Sequence, residues 1–224
     1  SFLKFLTDFG PLLIFFIIYY KSDNNLIIAI PPLIFATIVE KLGLKKHRFF
    51  LISVHREENV DNDVNFKCLT DLLNDLGNQY KLPVIVTTHP RTRKRIDETS
   101  NQFNPLIRFL KPLGFFDYVK LQLNAKVVLS DSGTISEEAA MLGFPALNLR
   151  EVHERPEAME EAAVMMVGLK SEQVHQGLKI LSLRSVDTTI KNPVSDYTKP
   201  NVGEKIAMII QSHVGFINKR TWHK

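Results

Sequence analysis

The sequence predicts an α/β fold, a Rossmann-like parallel sheet flanked by helices and preceded by a short hydrophobic helical segment. Three observations carry this reading. From Phe49 onward, short apolar runs alternate with stretches of helical spacing. The runs are continuously apolar, as in strands covered on both faces. Those ending at Thr88, Ser130 and Leu149 lead into segments that read as helix starts. Strand–helix alternation of this kind implies a parallel sheet with right-handed crossovers.

The elements follow in order. Candidate strands are 49–54, 83–88, 106–110, 126–130, 145–149 and 164–167. Between the first two, Leu69, Leu72, Leu73, Leu76 and Tyr80 recur at three- and four-residue spacing, one face of a helix. Shorter helices fit 91–99, 115–123, 134–142, 157–163 and 171–183, and a last amphipathic helix, 202–218, aligns Ile206, Ile209, Ile210 and Val214.

The first 44 residues differ, giving an expected division into 1–44 and 45–224. Pro11–Tyr20 and Leu26–Val39 are uncharged runs separated by Lys21–Asn25. Both are shorter than the roughly 20 apolar residues of a membrane-spanning helix. Membrane contact through residues 9–40 is the expectation, with a buried soluble hairpin as the alternative. The charged stretch Lys45, Lys46, His47, Arg48 suits a cytoplasmic membrane face or an ordinary solvated surface.

The 224 residues carry a net charge of +4, with hydrophobic residues at 45% and charged residues at 23%. That is globular composition, and the charge is too mild for a nucleic-acid partner. One cysteine, Cys68, excludes an internal disulfide framework and a cysteine-rich zinc site. The seven histidines are scattered without ligand spacing, so neither metal nor cofactor is expected.

Chemistry concentrates where strands end, the edge at which such sheets bind ligands. Leu129–Ala139 leaves a strand, turns through Ser132, Gly133 and Thr134, and enters a helix. Backbone N–H groups, two hydroxyls and the helix dipole there suit an anion, and Glu138 lies one turn further on. The same spacing also suits a capping box that needs no ligand, and spacing alone leaves the two level. A second strand end carries His55, Arg56, Glu57 and Glu58; the alternative is a solvated loop with a local ion pair. A third carries His89, Pro90 and Arg91, which also reads as a plain helix start with proline in its first turn. A fourth places Arg155 before Pro156 and Glu157, near a diphosphate or neighbouring carboxylates.

HREEN at 55–59, HPRTRKR at 89–95, KPLGFFDY at 111–118, LSDSGTISEEAAMLGFPALNLR at 129–150 and ERPEA at 154–158 resemble the non-hydrolysing UDP-N-acetylglucosamine 2-epimerase family. The likeness runs from about Phe49 to Lys224 and corresponds to the carboxyl-terminal half of that family's two-domain GT-B fold. PLGFFDY with SDSGTISEE looks closest to the branch that makes UDP-N-acetyl-L-fucosamine. Separately, residues 2–39 resemble the start of intracellular septation protein A, a membrane-protein family, which would make the chain a fusion joined near Glu40–Lys46.

The epimerase resemblance implies that Ser132, Gly133 and Thr134 hold the phosphates of a UDP sugar (UDP-GlcNAc, or UDP-FucNAc and its talosamine epimer). Glu138 would bind the ribose and Arg155 would contact phosphate or sugar. His55, Arg56 and Glu58 would flank the diphosphate as the catalytic group, and His89 matches a histidine that in some members binds a second, activating UDP-GlcNAc. Gly133-Thr134 replaces a double glycine of the better-known branch, and Leu113 replaces a glutamine, which puts substrate identity in question.

The family's reaction eliminates UDP to a glycal and re-adds it after protonation of C2 from the other face, in the service of capsule or O-antigen synthesis. Its catalytic carboxylates belong to the amino-terminal half, so the expectation is a chain that keeps much of a UDP site and lacks most of the acid/base machinery. The alternatives are a non-catalytic UDP-binding remnant and a GT-B glycosyltransferase domain. A homo-oligomer is expected, in the cytoplasm or tethered to the inner face of a bacterial inner membrane.

Overall fold

The computed structural model describes residues 38–99, 102–152, 155–183 and 194–223. The expected contact through residues 9–40 lies outside them, apart from its last three positions. Among the described residues, no helix is long and apolar enough to cross a membrane.

Six parallel strands form one sheet: β1 (Phe50–Ser53), β2 (Val84–Thr87), β3 (Ile107–Leu110), β4 (Val127–Ser130), β5 (Ala146–Asn148) and β6 (Met165–Met166). Their order is β3-β2-β1-β4-β5-β6, so the chain builds outward from β1 in one direction and then restarts on its other side. Register brings Ser53 level with Thr87 on one side and with Ser130 on the other, which sets three strand ends in a row.

The continuous apolar runs are explained by burial on both faces. Phe50, Ile52, Val84, Val86, Val127 and Leu129 point into one core, against Leu69, Leu72, Leu73 and Leu76 of α3 (Asp63–Tyr80) and Val174 and Leu178 of α8 (Ser171–Leu183). The alternate residues Leu51, Ile85 and Val128 point into the other core. There they meet Leu121 of α5 (Phe115–Asn124) and Ile135 and Ala139 of α6 (Ile135–Leu142). This is the period-two alternation of side chains across a strand, with both sides apolar.

Phe49, Leu44 and Val39 also belong to the second core, and the short helix α1 (Ile38–Lys41) packs on α5. The body's packing thus takes in residues on the amino-terminal side of position 45.

The remaining helices are α2 (Glu57–Val60), α4 (Pro90–Asp97), α7 (Pro156–Glu160) and α9 (Val202–Arg220). Two differ from the sequence expectation. Residues 57–60, at the end of the HREEN motif, wind into α2, a short helix that the sequence reading did not include. Helix α7 stops at Glu160, short of 163, because Ala162 adopts φ 53, a left-handed backbone that ends the winding. No residue of α9 is buried, so its apolar side chains face solvent.

Candidate functional site

The carboxyl ends of β1, β4 and β5 are joined by one buried carboxylate. Asp131 follows β4 directly and is fully buried. It accepts the backbone N–H of Arg56 at 2.9 Å and that of His55 at 3.1 Å. Asn59 Nδ2 donates to it at 3.1 Å and also to the Leu149 carbonyl at 3.3 Å, which ties in the end of β5. His55 Nδ1 lies 3.2 Å from the same carboxylate. Burial pushes the Asp131 carboxyl up, but the hydrogen bonds from His55, the Arg56 N–H and Asn59 outweigh it and hold it below its ordinary range. Conversely, the bond to Asp131 raises the His55 imidazole above 6.5 against the opposing effect of burial.

Beside this anchor, His55, Arg56, Glu57, Glu58, His89 and Arg91 line a cavity of about 340 Å³. His55, Arg56 and Glu58 from the strand end after β1 and His89 from the one after β2 are therefore brought together. Glu58 sits between two guanidiniums, 4.0 Å from Arg56 and 3.9 Å from the buried Arg150. His89 takes the helix-start role and also borders the cavity. It is the N-cap of α4, accepting the Arg91 N–H at 3.4 Å with Pro90 next in line, and it also faces the cavity. Arg91 bridges Glu57 and Asp61, which fastens α4 to α2.

The Ser132–Glu138 segment is arranged differently from a simple capping box. Neither hydroxyl is spent on the helix: Thr134 is the N-cap residue of α6, but its side chain makes no cap hydrogen bond. Instead Thr134 Oγ1 donates to Glu138 Oε1 at 2.7 Å and lies 3.0 Å from Ser132 Oγ. Gln122, fully buried on α5, donates its Nε2 to the other oxygen of Glu138. The segment accordingly presents a helix start whose N-cap hydroxyl is turned away, with backbone N–H groups of the kind that favour an anion, and a glutamate fixed from two sides as an acceptor.

Arg155 is placed differently from a lone phosphate ligand. Its Nε donates to Glu137 of α6 at 2.6 Å, which links the start of α7 to the Ser132–Glu138 helix. Neither Gly133 nor Arg155 lines the 340 Å³ cavity. The connection between them and His55 runs through Asp131 and α6. Glu154, which precedes Arg155 in the ERPEA motif, lies outside the described residues.

Sequence reasoning passed over Asp131, Gln122 and Tyr118. Tyr118 is held on α5 among Ser53, Gln122, Asp131 and Glu138, and burial, opposed by hydrogen bonds to Ser53 and Gln122, pushes its phenol up to about 12. A signal did exist for Asp131, an acid placed immediately after four strand residues that are all apolar or small and buried. An ionised group there must find donors.

A parallel sheet of this order, with its polar loops gathered at one edge, defines a Rossmann-like α/β domain that takes ligands at that edge. The family described as UDP-N-acetylglucosamine 2-epimerase matches residues 31–211, and the chain belongs to that family. The match begins inside the apolar run at 26–39.

A UDP-N-acetylglucosamine 2-epimerase of Methanocaldococcus jannaschii is 34% identical over 167 residues, which are 72% of this chain and 44% of the relative. The structure of the UDP-N-acetylglucosamine 2-epimerase from Rickettsia bellii superposes with a TM-score of 0.69 at 39% identity, covering 87% of this chain and 52% of that one. The M. jannaschii enzyme in complex with UDP-GlcNAc and UDP gives 0.62 at 32%, covering 73% and 45%. The chain thus spans about half the length of these relatives.

Proposed function

We propose that this chain is the UDP-gripping half of a UDP-N-acetylhexosamine 2-epimerase. Ser132, Gly133, Thr134 and the first turn of α6 receive the diphosphate, Glu138 takes the ribose hydroxyls, and His55, Arg56 and Glu58 flank the leaving phosphate. Arg155, aimed by Glu137, contacts phosphate or sugar. His89 borders a second UDP-sugar subsite. The single observation that carries this reading is the start of α6, where Thr134 turns its hydroxyl from the helix to Glu138, a glutamate held from its other side by Gln122.

The chemistry follows from charge. Breaking the bond between C1 and the diphosphate oxygen leaves negative charge on UDP, and aligned N–H donors, an imidazolium and a guanidinium stabilise that charge as it develops. Moving the proton at C2 demands an acid/base pair on both faces of the sugar. We assign that task chiefly to the family's other half, carried by a longer form of this protein or by a partner chain. Family membership supports an epimerase over a glycosyltransferase. PLGFFDY with SDSGTISEE supports the fucosamine branch as substrate class. A homo-oligomer in the cytoplasm is the proposed state.

Isothermal titration of the full chain with UDP tests the grip. Saturable binding that weakens at least tenfold in Glu138→Gln is expected, and a folded chain that gives no heat with UDP overturns the reading. Incubation with UDP-GlcNAc, followed by proton NMR, separates the activities: C2 epimers form without any acceptor only in an epimerase.

A further inference from the structure

We propose that Asp131 is the positioning residue of the site, holding the His55 ring by Nδ1 so that Nε2–H is presented to the diphosphate of UDP; this rests on the UDP-binding reading above. The geometry is specific. Asp131 Oδ1 lies 3.2 Å from His55 Nδ1, and the same carboxylate accepts the backbone N–H groups of His55 and Arg56. Main chain and ring of one residue are therefore clamped by one acid on another strand. With Nδ1 turned to the buried acid, Nε2 is the ring atom left for the cavity that His55 lines with Arg56 and His89.

A buried carboxylate in this position acts on a histidine in two ways: it fixes which ring nitrogen faces outward and it stabilises the imidazolium. Only the charged ring donates from Nε2 while Nδ1–H is engaged with Asp131; the neutral ring held this way leaves Nε2 with a lone pair, which repels phosphate oxygen. Asp131 thus keeps His55 a donor over a wider range of pH than a free imidazole allows.

The charged neighbours are Arg56, whose guanidinium opposes protonation of His55, and Glu57 and Glu58 of α2. His89 and Arg91 of α4 line the cavity, Arg150 lies beyond Glu58, and Tyr118 of α5 faces Asp131. Of these, the acid in direct contact dominates, since the bond to Asp131 is the largest influence on the ring.

The test is long-range proton–nitrogen NMR of the histidine rings in the full chain from pH 5 to 9, with UDP titrations over the same range. His55 is expected to titrate above 6.5, its ordinary value, and to carry its proton on Nδ1 when neutral. Asp131→Asn should lower its midpoint by at least one pH unit, a tenfold change in the charged fraction. UDP affinity should fall about tenfold per pH unit above the His55 midpoint, relative to a His55→Gln baseline, and the fall should begin lower in Asp131→Asn.

A His55 that titrates at or below 6.5, or whose neutral form is protonated on Nε2, overturns the inference. Because that reading is taken on the unsubstituted chain, it stands even if Asp131→Asn fails to fold. UDP binding with an unshifted His55 upholds the proposed function and sinks this inference. A shifted His55 in a chain that ignores UDP upholds the clamp and sinks the donor role together with the proposed function.

Discussion

At the scale of single residues, the Asp131–His55 pair makes stability depend on pH from both sides. Asp131 is held below its ordinary 3.8, so its contribution is present above that value and is lost as pH falls through the folded-state value. His55 is held above 6.5, so its contribution is complete below 6.5 and is lost as pH rises through the folded-state value. Thermal unfolding from pH 3 to 9 should therefore show the stability advantage over His55→Gln at its largest between those limits and shrinking on the alkaline side. Asn62 offers a simpler check. Its side chain accepts the N–H groups of Val64 and Asn65 at the start of α3, at 3.0 and 3.1 Å. Asn62→Ala should cost about 1 kcal/mol in a denaturant titration. Leu76, fully buried beneath the sheet, should cost about 2–5 kcal/mol on truncation to alanine. The Leu76 burial follows from its spacing in the sequence, whereas the role of Asp131 does not. Its donors at 55, 56 and 59 lie more than seventy positions upstream, and only strand pairing reveals that Ser53 and Ser130 end side by side.

At the scale of elements, the six strands and α3 were legible because apolar runs and three-to-four spacing report burial directly; α9 shows the same spacing although none of its residues is buried. Boundaries moved where local backbone intervened, as at Ala162, or where Glu57, Glu58 and Asn59 wound with Val60 into α2. The roles of Gln122 and Glu137 were hidden because a polar residue on a helix reads the same whether it faces water or a partner from another segment, the Glu138 carboxylate for Gln122 and the Arg155 guanidinium for Glu137. Packing between α8 and the sheet shows what the sequence understates. A Cβ built on Gly177 would meet Leu147 Cδ2 at 3.0 Å and Val167 Cγ1 at 3.1 Å, so the helix backbone lies against β5 and the chain just after β6. Gly177→Val should destabilise by about 1–3 kcal/mol through overpacking, with the loss read from the denaturant midpoint.

At the scale of the whole molecule, α9 stands apart from the two cores. Ile206, Ile209, Ile210 and Val214 are each at least 46% exposed and share one side of the helix, with Phe216 and Trp222 exposed nearby. An apolar stripe of this extent drives association when left in water. Sedimentation of the chain should show concentration-dependent assembly, and the double substitution Ile206→Glu, Ile210→Glu should shift it toward the monomer without altering UDP affinity.

The order of the strands has a kinetic consequence. Among the described strands β1 comes earliest in the chain yet ends in the middle of the sheet, flanked by β2 and β4, which both follow it in sequence. Its seam with β4 spans 76 positions at the Asp131–His55 contact, so closing it carries a large loop-entropy cost, and joints of that kind form late and slowly. During refolding, a β1–β2–β3 half can assemble while the segment at 55–59 still lacks its tether. Recognition of nucleotide should then return in step with the last long-range joining, which makes ligand capture a reporter of completed folding.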